Sequence, residues 1–197
     1  MKKLLLLTAL MICMHVTTYA QLRFGITGGL QSSKMHASAL GRSISTGSIF
    51  GAHVGGVAEY AINDNIFIRP ELLLSFKGGT ENDGGDLYKL SLTYLELPIQ
   101  GIYKYEIGSG KLVGGIGPYL GFLLGGKDED GDPIAVGDDI KGFDAGLRLL
   151  GGYELTDKNL GINLFYNTGL ANVVPGSRVS VKNSTIGLSI SYFFGER

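Results

Sequence analysis

The residues best suited to chemistry are charged side chains that recur at even spacing in segments of apolar and small residues. Arg69 and Glu71 share one such segment, Glu96 lies in a second, and Asp144 and Arg148 lie in a third. Side chains alternate between the two faces of a β-strand, so residues two or four apart share a face. An enclosed charge without a partner costs several kcal/mol. These five residues are therefore predicted to form a charge network that holds an enclosed space closed.

Catalytic chemistry is not indicated. A nucleophile needs a base within reach, yet after residue 20 the histidines are His36 and His53, and no spacing of serine, histidine and carboxylate suggests a triad. No helical pattern follows Gly115–Gly117, so a phosphate-binding loop is not supported. The single cysteine is Cys13. The sequence predicts no enzyme, no catalytic residue and no cofactor.

Two acidic segments, Lys127–Asp132 with Asp138 and Asp139, and Glu81–Asp86, carry enough oxygen ligands to raise the question of Ca²⁺ binding. Neither has the EF-hand spacing, and the first lacks the closing glutamate. We interpret both as solvated loops and predict no metal site, with calcium binding by the first as the alternative.

Residues 1–20 have the features of a signal peptide. Lys2 and Lys3 precede an apolar run, and Thr18–Ala20 resembles a cleavage site. A lipoprotein anchored at Cys13 is disfavoured because the bulky Ile12 precedes it. We therefore divide the chain into a signal peptide, 1–20, and one domain, 21–197. The net charge of -1 gives no electrostatic basis for binding nucleic acid.

After residue 20 the chain alternates between apolar and small or polar residues with a period of two, which is typical of β-strands. Eight strands are predicted, at 21–31, 47–62, 66–77, 88–105, 111–124, 142–155, 160–169 and 185–194. Their connections alternate between long and short. Leu90 and Leu92 are out of phase with Leu95 and Leu97, so a bulge or twist is expected near Tyr94.

An even number of strands with alternating long and short connections is typical of an antiparallel up-and-down transmembrane β-barrel. The predicted polar faces carry mainly Gly, Ser, Thr and Asn, with few of the lysines and glutamates of a water-washed face. Five tyrosines are predicted to form an interfacial girdle on the apolar face: Tyr60, Tyr103, Tyr153, Tyr166 and Tyr192. The alternative is a soluble lipocalin-type carrier, whose apolar face points inward.

The last predicted strand has a second feature. The spacing of Thr185, Gly187, Ile190, Tyr192 and Phe194 resembles the C-terminal signal recognised by the outer-membrane barrel assembly machinery. We therefore expect that machinery to be a partner during biogenesis.

The most distinctive segment of the sequence is Tyr94–Ile99, and further characteristic segments are Phe24–Leu30, Gly115–Gly121, Phe143–Gly146 and Asn167–Asn172. In these segments the sequence resembles the PorT-like outer-membrane β-barrel proteins of Bacteroidetes. The resemblance spans residues 21–197. It implies an eight-stranded barrel in the outer membrane of a Gram-negative organism. It implies little about activity, because function does not follow from fold alone.

Together these observations predict a structural or surface-binding role exerted by the external loops. The expected partners are outer-membrane lipid, lipopolysaccharide and a protein bound at the loops. The alternatives are an accessory component of a protein-secretion or envelope machine, a narrow channel, and the soluble carrier.

Overall fold

The computed structural model describes residues 22–39, 42–83, 86–128, 130–135, 140–174 and 180–195. The predicted signal peptide, Asp138 and Asp139 lie outside these ranges. The described residues contain no helix with the length and hydrophobicity needed to cross a bilayer.

Nine β-strands are described, and eight of them form one closed wall. The strands are β1 Leu22–Ala39, β2 Arg42–Ser45, β3 Ile49–Ala61, β4 Ile66–Asp83, β5 Asp86–Ile107, β6 Gly110–Lys127, β7 Phe143–Leu155, β8 Leu160–Gly169 and β9 Ser180–Phe193. Neighbouring strands are antiparallel, β9 pairs with β1 to close the wall, and the short β2 pairs with the end of β1. The predicted eight-stranded antiparallel up-and-down barrel is confirmed.

The wall is strongly sheared. Following paired residues from Leu22 around the barrel leads back to β1 at Ser32, ten residues farther along. An offset of this size in an eight-stranded barrel tilts the strands by about 40°. The path passes through Tyr60, Ile68, Gly101, Ile116, Leu149, Tyr166 and Ile186.

The apolar face of every wall strand points outward. Leu30 is 71% exposed, Leu164 57% and Ile190 51%, whereas the alternate positions are buried in the lumen, the space that the wall encloses. This is the reverse of the lipocalin arrangement, so the soluble-carrier alternative is wrong.

Aromatic side chains mark both edges of the apolar band. Near the three short turns, which we call the turn end, lie Tyr60, Tyr103, Tyr153 and Tyr192, as predicted. Tyr166 does not belong there, because it pairs with Leu149 and Ile186 in the other half of the wall. The opposite edge, at the loop end, carries four outward phenylalanines, Phe50, Phe76, Phe122 and Phe143.

The two edges lie a membrane thickness apart. On β7 they are marked by Phe143 and Tyr153, ten residues apart. A rise of about 3.3 Å per residue along a strand tilted by about 40° separates them by roughly 25 Å, the height of the apolar band of a transmembrane barrel.

Several strands extend farther at the loop end than predicted. The stretch 32–46, expected to be irregular, continues β1 to Ala39 and forms β2, and the predicted loop 78–86 is a hairpin paired through Asp83 and Asp86. These extensions alternate weakly in polarity because they rise above the apolar band. They are held by backbone pairing, which sequence periodicity does not report.

The irregularity predicted near Tyr94 is present in its pairing with β6, where the register shifts between Thr93 and Tyr94. The phase of β5 itself does not change. Leu92 and Tyr94 both face the lumen, and Leu92 is apolar because the lumen is apolar at that height.

The loop end of the lumen is closed by a hydrophobic cluster. It contains Met35, Leu92, Tyr94, Leu123, Ile140 and Val173. Ile140 and Val173 come from the long connections, and Lys141 N–H donates to the Val173 carbonyl at 2.7 Å. Val173 N–H in turn donates to Val181 O at 2.9 Å. Backbone pairing thus holds the two connections over the mouth of the barrel.

Glycines leave room for the large lumenal rings. A Cβ added at Gly146 would lie 2.7 Å from the Tyr119 ring, and one at Gly187 would lie 2.6 Å from the Phe165 ring. Contacts this short are not tolerated, so glycine at these positions allows each aromatic ring to lie over its paired residue on the neighbouring strand.

Candidate functional site

The most highly charged part of the lumen lies near the turn end. Glu59 on β3 binds Arg69 and Lys104, each at an N···O distance of 2.6 Å, and it binds Arg23 at 2.5 Å. Glu154 on β7 binds Arg23 at 2.9 Å and Lys104 at 2.5 Å. We call these five residues the turn-end cluster. Its three cations share two carboxylates, so each carboxylate forms ion pairs with side chains from more than one other strand.

Aromatic rings cover this cluster. The Arg23 guanidinium lies 4.2 Å from the ring centroid of Phe193, and Lys104 Nζ lies 4.5 Å from that of Phe67. A cation over a ring face is attracted by the ring quadrupole, and the attraction grows when water is excluded. The rings therefore stabilise the cations and narrow the turn end of the lumen.

A second group lies at mid-barrel. Arg148 on β7 approaches Glu71 on β4 at 3.6 Å, and Gln100 donates to the same carboxylate at 3.2 Å. The Arg148 guanidinium stacks 3.9 Å from the centroid of the Phe165 ring. These contacts join β4, β5, β7 and β8 across the lumen.

A third group lies below the mouth. Lys77 on β4 forms an ion pair with Glu96 on β5, and its ammonium lies 5.2 Å from the centroid of Tyr119. Asp144 accepts a hydrogen bond from the Tyr119 hydroxyl at 3.2 Å and one from the Asn183 amide at 2.9 Å. This group connects the polar lumen to the hydrophobic cluster above it.

The five residues predicted to form one network all lie in the lumen, but in three different groups. Arg69 belongs to the turn-end cluster, Glu71 and Arg148 to the middle group, and Glu96 and Asp144 to the group below the mouth. Arg69, Glu71 and Glu96 share a lumenal face but bind different partners. Glu71 pairs with Arg148 within the predicted set, but Arg69 and Glu96 bind residues outside it, so the five do not form a single network.

The predicted network omitted two central cations, Lys77, which the alternation places on the polar face of its strand, and Lys104. Both lie at lumenal positions in phase with predicted charges, since Lys77 follows Glu71 by six residues and Lys104 follows Glu96 by eight. The outward rings of Tyr103 and Tyr105 obscure the pattern around Lys104. A strict period-two count along β5 identifies it.

Charge is balanced along the described lumen. Five cations, Arg23, Arg69, Lys77, Lys104 and Arg148, accompany five carboxylates, Glu59, Glu71, Glu96, Asp144 and Glu154. Ion-selective pores that rely on side chains use rings of one sign. In this lumen the cations and carboxylates instead form ion pairs with one another, which hold the strands together and fill the lumen.

His53 and Ser189 form the nearest approach to a catalytic pair. His53 Nε2 lies 2.8 Å from Ser189 Oγ, and the imidazole meets Phe165 edge-on with ring centroids 5.2 Å apart. No described group accepts or donates a hydrogen bond at His53 Nδ1. A catalytic histidine is normally oriented by such a third group. The pair is thus a buried hydrogen bond that joins β3 to β9 over Gly29 of the intervening strand β1.

Asp128, in the first acidic segment, accepts a hydrogen bond from Asp132 N–H at 2.8 Å and so closes a turn. Within the described ranges, no group of three or more His, Cys, Asp or Glu side chains is placed to hold a metal ion.

The residues of the predicted assembly signal divide between the two faces of β9 and its end. Thr185 and Gly187 face the lumen, whereas Ile190, Tyr192 and Phe194 face outward. The rings of Tyr192 and Phe194 meet edge-on, with their centroids 5.7 Å apart, at the turn end.

A closed antiparallel barrel with an outward apolar band of membrane thickness, two aromatic belts and a paired polar interior defines a transmembrane barrel of the outer-membrane class. The family model for the outer membrane protein beta-barrel domain matches residues 18–174. The chain belongs to this family and is a small outer-membrane β-barrel. The turn end is accordingly the periplasmic end, and the loop end is external.

Two solved structures are similar to this chain. Neisserial surface protein A is 18% identical, with 86% of this chain and 97% of that chain covered and a TM-score of 0.50. At this identity the likeness concerns the fold alone. Ail, the attachment invasion locus protein of Yersinia pestis, is 16% identical, with 88% and 99% covered and a TM-score of 0.44. A search of curated proteins found no match.

Proposed function

We propose that this barrel has a structural or surface-binding role exerted by its external loops, and that it is not an enzyme. The observation that carries the proposal is the closed lumen. Ion pairs between lumenal side chains occupy it at three heights, and Ile140 and Val173 cover its external mouth. A barrel without an open interior presents its external surface to partners.

The extended strands support this proposal. β4 continues seven residues beyond Phe76 of the external belt, and β1 continues beyond Ser32 to Ala39. Paired hairpin extensions are more rigid than free loops. Less conformational entropy is therefore lost when a partner binds to them. The proposed partners there are lipopolysaccharide and a protein at the cell surface.

Single cysteines test on which side a protein partner binds. Asp130 lies exposed in the connection between β6 and β7, and Ser109 lies exposed in the periplasmic turn between β5 and β6. The sole cysteine, Cys13, lies in the proposed signal peptide. With a short maleimide cross-linker in intact cells, Asp130→Cys is expected to give adducts with a surface partner, and Ser109→Cys is not.

The reverse pattern would contradict the surface-binding role and favour the second hypothesis, an accessory component of a secretion or envelope machine. Adducts at neither site would leave the structural role. The third hypothesis, a narrow channel, requires conductance steps in planar bilayers, and the balanced lumen charge disfavours it.

We further infer that the chain is a PorT-like barrel of the kind found in Bacteroidetes. The support is the segment Tyr94–Ile99, which lies in β5 with Glu96 and Pro98 facing the lumen. The proposed removal of residues 1–20 would be checked by N-terminal sequencing of the membrane form, which should begin at Gln21.

The terminal strand is proposed to be recognised by the barrel assembly machinery, with Tyr192 and Phe194 as its aromatic contacts. Tyr192→Ala is expected to lower the amount of barrel in the outer membrane several-fold without changing its refolding in detergent. Tyr103→Ala is the matched control, since Tyr103 is an outward belt tyrosine of similar exposure, 54% against 45%. Equal loss for both variants would contradict a recognition role.

A further inference from the structure

A patch of basic residues faces outward at the external rim of the wall, on the two strands that close the barrel. Lys34 and His36 lie on β1 and Lys182 lies on β9, and His36 is paired in register with Lys182. Their chain neighbours Met35 and Asn183 are buried on the lumenal side. We call these three basic residues the rim patch.

The height of the rim patch follows from strand length. A transmembrane strand crosses the apolar core in about 9–11 residues. A span of about 9–11 residues that starts at the outward Phe24 on β1 ends at residues 32–34. A span of the same length that starts at Phe194 and runs back along β9 ends at residues 184–186, so these residues mark the external edge of the apolar core. Lys34 and Lys182 are the first outward cations that each strand presents at or above this level.

The surface below the patch is apolar. Leu30, Leu188 and Ile186 are each about half or more exposed and lie next to one another across the β1–β9 pairing. Among the side chains that the structure describes, no carboxylate forms an ion pair with Lys34 or Lys182. On each strand one serine, Ser32 or Ser184, separates the lysine from this apolar surface, so both lysines lie just to its external side.

We propose that the rim patch binds the phosphate groups of lipid A, the membrane-embedded part of lipopolysaccharide, while its acyl chains lie along β1 and β9. The chemistry matches at both ends of the ligand. Basic side chains at the edge of a bilayer attract anionic headgroups, and their aliphatic stems lie along apolar surface. This site rests on the proposed binding of lipopolysaccharide, but it uses the outer wall, so its failure would leave a protein partner at the loops unaffected.

The test is a titration of the isotope-labelled barrel in detergent micelles, followed by backbone amide shifts. The probes are purified phosphorylated lipid A and the same lipid A with its phosphates removed. Phosphorylated lipid A is expected to shift amides at 32–36 and 182–186. Each basic residue near an anionic headgroup contributes about a factor of five, so Lys34→Gln with Lys182→Gln should weaken binding about twenty-five-fold at low salt.

The matched control is Lys127→Gln with Lys141→Gln, which removes two exposed lysines near β6 and β7 at the same end of the barrel. This variant is expected to bind like the unaltered protein. Equal affinity for dephosphorylated lipid A, unchanged binding by the Lys34 and Lys182 variant, or an equal loss in the control would overturn the proposal. Inorganic phosphate should produce no shift at the same concentration, because it lacks the acyl chains. A matching shift with inorganic phosphate would also overturn the proposal, because the acyl chains would then not be required.

Discussion

Replacing Glu59 by glutamine is expected to lower the free energy of unfolding by about 3–5 kcal/mol, since it removes one partner from a buried ion pair. The side chain keeps its shape, but Arg69 loses its ion-pair partner. Lys104 and Arg23 then share Glu154 alone. The measurement is urea unfolding of the refolded barrel in lipid vesicles, followed by circular dichroism because the chain has no tryptophan.

Glu106→Gln is the matched control. Its carboxylate pairs with Lys111 at 3.0 Å, but the Glu106 side chain is 77% exposed. Exposed pairs contribute about 0–1 kcal/mol. Adding Arg69→Met to Glu59→Gln should recover part of the loss, because it removes the cation left unpaired. Similar losses for Glu59→Gln and Glu106→Gln would contradict a stabilising role of the enclosed charges.

The second large effect concerns the outer face. Leu164 is outward on β8, about midway between the two aromatic belts, and 57% exposed. Leu164→Arg should cost about 2–4 kcal/mol, because arginine at the midplane must be drawn away from water. The measurement is the same urea titration in vesicles.

Ser32→Arg provides the control by depth. Ser32 also faces outward, at the external edge of the band, where the cost should fall to about 0–1 kcal/mol. A similar penalty at both depths would mean that the band does not lie in the bilayer core as the belts indicate.

The wall could be predicted from sequence because a barrel strand repeats one local rule, apolar outward and small or polar inward, at every second residue. Residues such as Ile186, Leu188 and Ile190 show it directly. Strand ends were less predictable. Above the bilayer both faces meet water, and the hairpin through Asp83 and Asp86 has no apolar period to reveal it.

The partners inside the lumen could not be predicted, because they depend on the shear of the wall. Each strand is displaced relative to its neighbour, so residues at matching sequence positions do not share a height. Arg69 meets Glu59 on the preceding strand, whereas Glu71, two residues later, meets Arg148 from β7. Period-two patterns assign a face to each residue but not a height.

The pairing of β1 with β9 has a consequence for how the molecule is made. Its register runs from Gly25 opposite Phe193 to Ser38 opposite Ser180. The first strand of the wall, β1, therefore cannot complete its pairing until the last strand, β9, has been made. Contacts so distant in sequence form slowly, because the entropy of closing the intervening chain must first be lost. Until then the nascent sheet has two unpaired edges, each able to join another chain. The pairing of β1 with β9 is thus the folding step at which aggregation competes with barrel closure. A factor that covers the free edge of β1 until β9 has formed would prevent this aggregation.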